Sequence, residues 1–314
     1  MMFLEFEKPA VLMSEKIKEL KSIKDVSLEK EIQTLEEKFV RLRKKLTSKL
    51  NPVDVVSLSR HPLRPFSQDY IAGIFSRVEE IHGDRLNGDD KAIFAGFGEL
   101  DGVSLAILAQ KKGRTTTEKI ALNFGMPMPE GFRKAARLAN LAAKFGLPIV
   151  TFVDTPGAFP GIAAEERGQA EAIATMLNVL LNVSVPTLSI IVGEGGSGGA
   201  LALSVTDRLL MQEFSIFSVI SPEGCASILF REANKTNMAR AASMLKLTAP
   251  DLLKLGVIDG IIDEPEGGAH WDKALGISIV KESVRSAFKE LMEQPKEERL
   301  QKRQDKYLRI GFYE

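Results

Sequence analysis

Two apolar runs constrain this chain more than any other feature. Residues 147–154 (LPIVTFVD) and 185–192 (VPTLSIIV) are apolar at almost every position instead of at alternate ones. A strand with one face in water alternates, whereas a run of this kind reads as a strand buried on both faces, the mark of a parallel sheet covered by helices. Each run opens into a glycine-bearing loop, TPGAFPG after the first and GEGGSGG after the second, and each loop leads into a helical pattern. Strands alternating with helices imply a parallel sheet with crossover connections. Such a sheet gathers its loops at the carboxyl ends of the strands, where ligands bind.

The rest of the chain divides around this centre. Residues 12–50 read as helix, because Leu28, Ile32, Leu35, Phe39, Leu42, Leu46 and Leu50 recur every three or four positions. A shorter helix with Ile17, Leu20 and Ile23 precedes it, and the pair can form a hairpin turning at 24–27, which either packs on its own domain or serves as a docking arm. Asn51-Pro52 ends the second helix. Ser67 reads as an N-cap, with Phe66 and Ile71 as a staple and a helix running to about Ile81. Asp101-Gly102, between KAIFAGFGEL and VSLAILAQ, predicts a β-hairpin. Helices are expected over 131–145 and 165–181, near Ala200 and after Pro222, with strands over 208–211 and 215–220. Residues 273–310 form a charged helical tail, expected to be a solvated face. The implied division is an arm over 1–52, a central domain over 53–270 and a tail over 271–314.

The loop Gly193–Ala200 admits three chemical readings. Gly193, Gly195 and Gly198 satisfy a dinucleotide fingerprint, but the helix after Ala200 is too short for that unit and no suitable acidic residue follows. Gly195, Ser197 and Gly199 satisfy the G-x-S-x-G elbow of a serine hydrolase, with His270 downstream and Asp251, Asp259 or Asp263 between them. The third reading needs no side chain. Glycines at a helix start leave N–H groups unpaired and let a ligand approach, which makes an oxyanion hole suited to enolates. Gly157 and Ala158 of the facing loop can add donors. Alternatively, the glycines only permit a tight strand–helix junction.

Composition removes other classes. Forty-two Lys and Arg against 42 Asp and Glu leave no net charge, which argues against a nucleic-acid binder and is compatible with a surface covered by a partner. Cys225 is the only cysteine, so neither a disulfide framework nor a cysteine-rich zinc site can form, and its place after Pro222 reads as helix core. No apolar run approaches the ~18 residues of a membrane span, and the first ten residues lack a signal-peptide core, so the expected location is the cytoplasm. Lys111, Lys112 and Arg114 form a basic cluster suited to CoA phosphates or an acidic carrier, or simply to water.

With these residues in view, the chain resembles the α subunit of bacterial-type acetyl-CoA carboxylase carboxyltransferase. The resemblance is carried, in order, by RHPLRP at 60–65, DDKAIFAGFGELDG at 89–102, QKKGRTTTEKIALNFGMPMPEGFRKA at 110–135, TFVDTPGAFPGIAAEERGQAEAIA at 151–174, IVGEGGSGGALAL at 191–203, SVISPEGCASIL at 218–229 and EPEGGAH at 264–270. It implies a crotonase-like α/β fold, a spiral of ββα units whose backbone amides stabilise enolate oxygens. It implies transfer of a carboxyl group from carboxybiotin, held on a separate carrier protein, to acetyl-CoA, giving malonyl-CoA. A zinc-bearing β subunit is implied as partner in an α2β2 assembly, with no metal in this chain, together with the biotin carboxyl carrier protein and biotin carboxylase. Gly198, Gly199 and Ala200, then Gly157 and Ala158, are the implied catalytic donors, and Gly195, Gly196, Gly199 and Ala200 the implied biotin contacts. A serine hydrolase or an inactive scaffold of the same fold is the alternative.

Overall fold

The computed structural model describes residues 3–23 and 25–311. A 3-10 turn at Glu5–Glu7 leads into two antiparallel helices, α1 (Lys8–Ile23) and α2 (Glu29–Thr47), tied by a 2.6 Å ion pair between Lys21 and Glu36. The hairpin expected there is present, although Lys24 in its turn lies outside the described residues. Asn51-Pro52 does more than stop α2. The Asn51 side chain accepts the Asp54 N–H and Pro52 occupies the first turn of a further helix, α3 (Pro52–Ser59).

Helix α4 (Ser67–Ile74) is capped by Phe66, whose N–H donates to Asp69, so Ser67 is the first helical residue and not the cap. It also ends earlier than its sequence pattern predicts. Residues expected to continue it form instead β1 (Ser76–Glu80), which pairs antiparallel with β2 (Ile93–Leu100). The hairpin of β2 and β3 (Val103–Gln110) turns at Asp101 and Gly102, both at positive φ (51° and 84°), the backbone that an Asp-Gly two-residue turn requires.

After α5 (Thr116–Ala121) and α6 (Pro129–Phe145) the parallel region begins. It comprises β4 (Ile149–Thr155), α7 (Ile162–Glu166), α8 (Gln169–Asn182), β5 (Thr187–Gly196), α9 (Ser197–Leu201), β6 (Arg208–Gln212) and the short β7 (Ile216–Ser218). Helices α10 (Pro222–Phe230), α11 (Lys235–Leu245) and α12 (Ala249–Lys254) lead to β8 (Gly260–Ile262), and α13 (Lys273–Met292) and α14 (Lys296–Leu308) close the chain. The sheet order is β1-β2-β3-β4-β5-β6-β8, with β7 beside the glycine end of β5. All seven residues of β4 are buried, as its apolar run requires. Phe132, Leu138, Met176 and Leu180 cover one face of the sheet, and Tyr70, Val280, Val284 and Phe288 cover the other. Cys225 lies in an apolar cluster with Ala226 and Ala241.

The charged tail is a solvated face on one side only: Lys296, Glu297, Glu298 and Lys302 are exposed, whereas Arg299 and Arg303 are buried. Arg303 is 1% exposed. Its guanidinium bonds both carboxylate oxygens of Asp207 at 2.7 Å and the carbonyls of Leu180, Val183 and Val185. Arg299 donates to Ser184 at 2.6 Å. The last carbonyls of a helix have no partner within it, and here two arginines from α14 supply partners around the end of α8.

Candidate functional site

The two loops singled out by the sequence meet. Strand β5 runs on through Gly196, with Gly195 paired to Thr155 of β4 on one side and to Phe217 of β7 on the other. A Cβ on Gly196 would lie 2.1 Å from the Pro156 carbonyl oxygen, and one on Gly199 2.4 Å from the Ala158 nitrogen. A Cβ on Gly195 would meet the Phe217 ring at 2.8 Å. The glycines therefore let backbone rest against backbone.

Helix α9 starts at Ser197 with Gly196 as its cap. In such a start the cap carbonyl accepts from the fourth helical N–H, which is that of Ala200. The amides of Ser197, Gly198 and Gly199 are the ones left without an intrahelical acceptor. Gly157 is also engaged, since its N–H donates to Thr155 Oγ1 at 3.1 Å. Of the five proposed donors, this leaves Gly198 and Gly199, with Ala158 across from them. Beside the turn lies a cavity of about 290 Å³ walled by Ser197, Gly198, Leu201, Phe217, Leu252 and Val257. The space next to Gly198 is open, the nearest atom to an added Cβ being Ile173 at 3.8 Å.

Under the loops runs a charged network that motif reading does not reveal. Asp154 Oδ1 accepts the Glu194 N–H at 3.0 Å and the Lys112 ammonium at 2.7 Å. Arg60 donates to Glu194 at 2.6 Å and to Glu223 at 2.7 Å. Burial disfavours the Arg60 charge, but Glu194 and then Glu223 outweigh that and hold the guanidinium firmly protonated. Lys112 and Arg114 of the predicted basic cluster line a second cavity of about 390 Å³ with Arg60, Lys119, Phe66 and Phe124. Lys111 turns away to Glu80 at 3.3 Å.

No histidine serves Ser197. His270 Nε2 bonds Glu7 at 2.6 Å in a buried cluster, His61 stacks on His270 with ring centroids 4.1 Å apart, and His82 pairs with Asp89 at 3.0 Å. The general base that a serine nucleophile requires is thus engaged elsewhere.

Glu7, His61 and His270 bring metal-ligand atoms within 4.8 Å of one another. Their hydrogen bonds argue against a metal centre. His61 Nδ1 accepts the Leu63 N–H at 3.2 Å, which places the proton of the neutral ring on Nε2, the atom facing Glu7. A protonated nitrogen cannot ligate a metal. Glu7 also accepts from the Leu4 N–H and from Trp271 Nε1. The cluster is a latch that fastens the N-terminal arm to residues 61 and 270–271. No helix among the described residues is long and apolar enough to cross a membrane.

Comparison with known proteins agrees with this architecture. The family model described as acetyl co-enzyme A carboxylase carboxyltransferase-like matches residues 3–311. The acetyl-coenzyme A carboxylase carboxyl transferase subunit alpha of Ruthia magnifica is 49% identical over 312 residues, covering 99% of this chain and 98% of the relative. Among solved structures, transcarboxylase 12S with hydrolysed methylmalonyl-coenzyme A superposes with a TM-score of 0.61 at 20% identity, over 78% of this chain and 45% of that one. The Pseudomonas malonate decarboxylase hetero-dimer does so with 0.58 at 17% identity, over 81% and 96%. These structures share the crotonase-like α/β fold.

Proposed function

Because the chain belongs to the acetyl-CoA carboxylase carboxyltransferase α-subunit family, we propose that its glycine turn is the anion-stabilising half of a site completed by a β subunit. The observation that carries this reading is the interlock of Gly196 and Gly199 with Pro156 and Ala158, which sets Gly198 at the wall of the cavity with Gly199 directly behind it.

Carboxybiotin, delivered by its carrier protein, supplies an activated carboxyl group and, once that has left, a basic ureido oxygen. The chain's part is to hold negative charge. The Gly198 and Gly199 N–H groups donate to the ureido oxygen, and the Ala158 amide supports them from the facing loop. Donors fixed before the reaction are worth about 3–4 kcal/mol each when they meet charge that develops in the transition state. Gly195, Gly196 and Ala200 form the strand end and helix start on which these donors sit, and Gly157 fixes its own loop through Thr155. The acceptor is acetyl-CoA and the product malonyl-CoA, the committed step toward fatty acids.

The chain works in the cytoplasm within an α2β2 complex, served by the carrier and by a separate biotin carboxylase. With Cys225 its only cysteine, a four-cysteine zinc site belongs to the partner. Residues 1–52 act as an arm and 271–314 as a brace around a catalytic body of 53–270.

The test is purification with and without the β subunit, following malonyl-CoA. Activity is expected only from the complex, and full activity of the lone chain overturns the shared site. Gly199→Val should abolish transfer while Ser197→Ala preserves it. Loss with Ser197→Ala would favour a serine nucleophile instead.

A further inference from the structure

We propose that Gln110 is a positioning residue for the glycine turn, an inference that rests on the reading above. Gln110 is the last residue of β3 and is fully buried. Its Nε2 donates to the Gly199 carbonyl at 2.6 Å, and its Oε1 accepts the Asp154 N–H at 3.2 Å. One side-chain amide thus joins the glycine turn to the strand end that carries the facing loop.

The turn needs such a fixing. Glycines have no side chains to lock their rotation, and each samples more backbone than any other residue. Gly195 and Gly196 are held by strand pairing, and the Gly198 carbonyl by the Ala202 N–H at 3.0 Å. The Gly199 carbonyl has no such partner in the chain that follows, because α9 stops and the Leu203 N–H bonds Ala200 instead. Gln110 takes this carbonyl. Without it the Gly199 carbonyl is left without a partner, the 199–200 peptide is held only through its Ala200 N–H, and the turn loses its tie to the strand end at Asp154, so the Gly198 and Gly199 amides are fixed less firmly. Gln110 does not line the cavity, so its effect passes through the turn.

The experiment uses the assembled complex with its β subunit. Gln110→Met keeps the volume and removes both hydrogen bonds. Its kcat is expected to fall about tenfold to a hundredfold, with KM for acetyl-CoA changing less than about threefold. Gln110→Glu adds a pH signature. The protonated acid still donates to Gly199 and accepts from Asp154, whereas the ionised form sets oxygen against oxygen. A buried carboxyl titrates above its ordinary range, so the activity of Gln110→Glu relative to the native complex should fall as pH rises, while the Gln110→Met ratio stays flat. Native kcat for an assembled Gln110→Met complex overturns the proposal. If that variant does not assemble, a pH-independent ratio for Gln110→Glu overturns it. If the native complex makes no malonyl-CoA, the functional reading itself has failed. If Gly199→Val is dead but both Gln110 variants are unimpaired, only the role of Gln110 is lost.

Discussion

Single atoms decide how tightly the two loops close. At Gly199 the space for a methyl group is filled by the Ala158 nitrogen, a backbone atom that cannot rotate aside. Gly199→Ala should therefore cost about 1–3 kcal/mol by forcing the loops apart, and the same displacement should lower kcat. Urea unfolding alongside a malonyl-CoA assay checks both, and a variant with native stability would mean that the loops can separate freely. Ser197 behaves oppositely. It is exposed and holds a left-handed backbone, φ +51°, without glycine's freedom. Ser197→Ala should change stability by less than about 0.5 kcal/mol. The glycines were legible in the sequence because few other reasons exist for so many at a strand end. Which amides stay free was not, since that depends on where α9 begins and on the Thr155 hydroxyl, both set by contacts distant in sequence.

At the scale of elements, legibility follows the range of the interactions. The Asp101-Gly102 hairpin and the buried strands β4 and β5 are encoded by local turn chemistry and apolar runs, and they form as expected. The sequence of β1, SRVEE, has no decisive pattern and reads as the tail of a helix. It becomes a strand only by pairing with β2, through a register irregularity between Ser76 and Glu79. The arm was half legible, its helices visible and its latch not, because Glu7 meets its partners at positions 61 and 270–271. Burial raises the Glu7 pKa, but the His270 and Leu4 hydrogen bonds, with the attraction of His270 and His61 in acid where their rings carry charge, outweigh it and hold the carboxyl below its ordinary 4.5. A carboxylate whose folded pKa is lowered stabilises above its unfolded value, and that stabilisation disappears as pH falls through the folded one. The Glu7 contribution to arm protection in hydrogen exchange should thus be complete above pH 4.5 and decline below it. Glu7→Gln should loosen residues 4–17 by about 1–3 kcal/mol at neutral pH and flatten that acid decline. Protection unchanged at pH 7 would show that the latch does not hold the arm.

Over the whole molecule, the balance of 42 basic and 42 acidic residues hides an uneven distribution. Several of these charges are internal ties between distant segments. Arg64 joins residues 60–65 to the Val192 carbonyl below the glycine turn and to Glu264, giving the RHPLRP and EPEGGAH stretches a bracing role. Arg303 joins the tail to Asp207 and to the end of α8. Sequence periodicity sees a charged helix and reads water around it, because it cannot know that the carbonyl ends of another helix lie opposite. Arg303→Leu leaves Asp207 buried without its main partner and should cost about 3–5 kcal/mol in urea unfolding. Arg303→Lys should recover only part, since an ammonium cannot span the carboxylate and three carbonyls as a planar fork does. The tie grips the end of α8, while Ile173, beside Gly198, lies in its first half. Variants at Arg303 should therefore lower the folded fraction and leave kcat per folded complex near native. A fall in kcat with folding intact would mean instead that the tail tunes the glycine turn through α8.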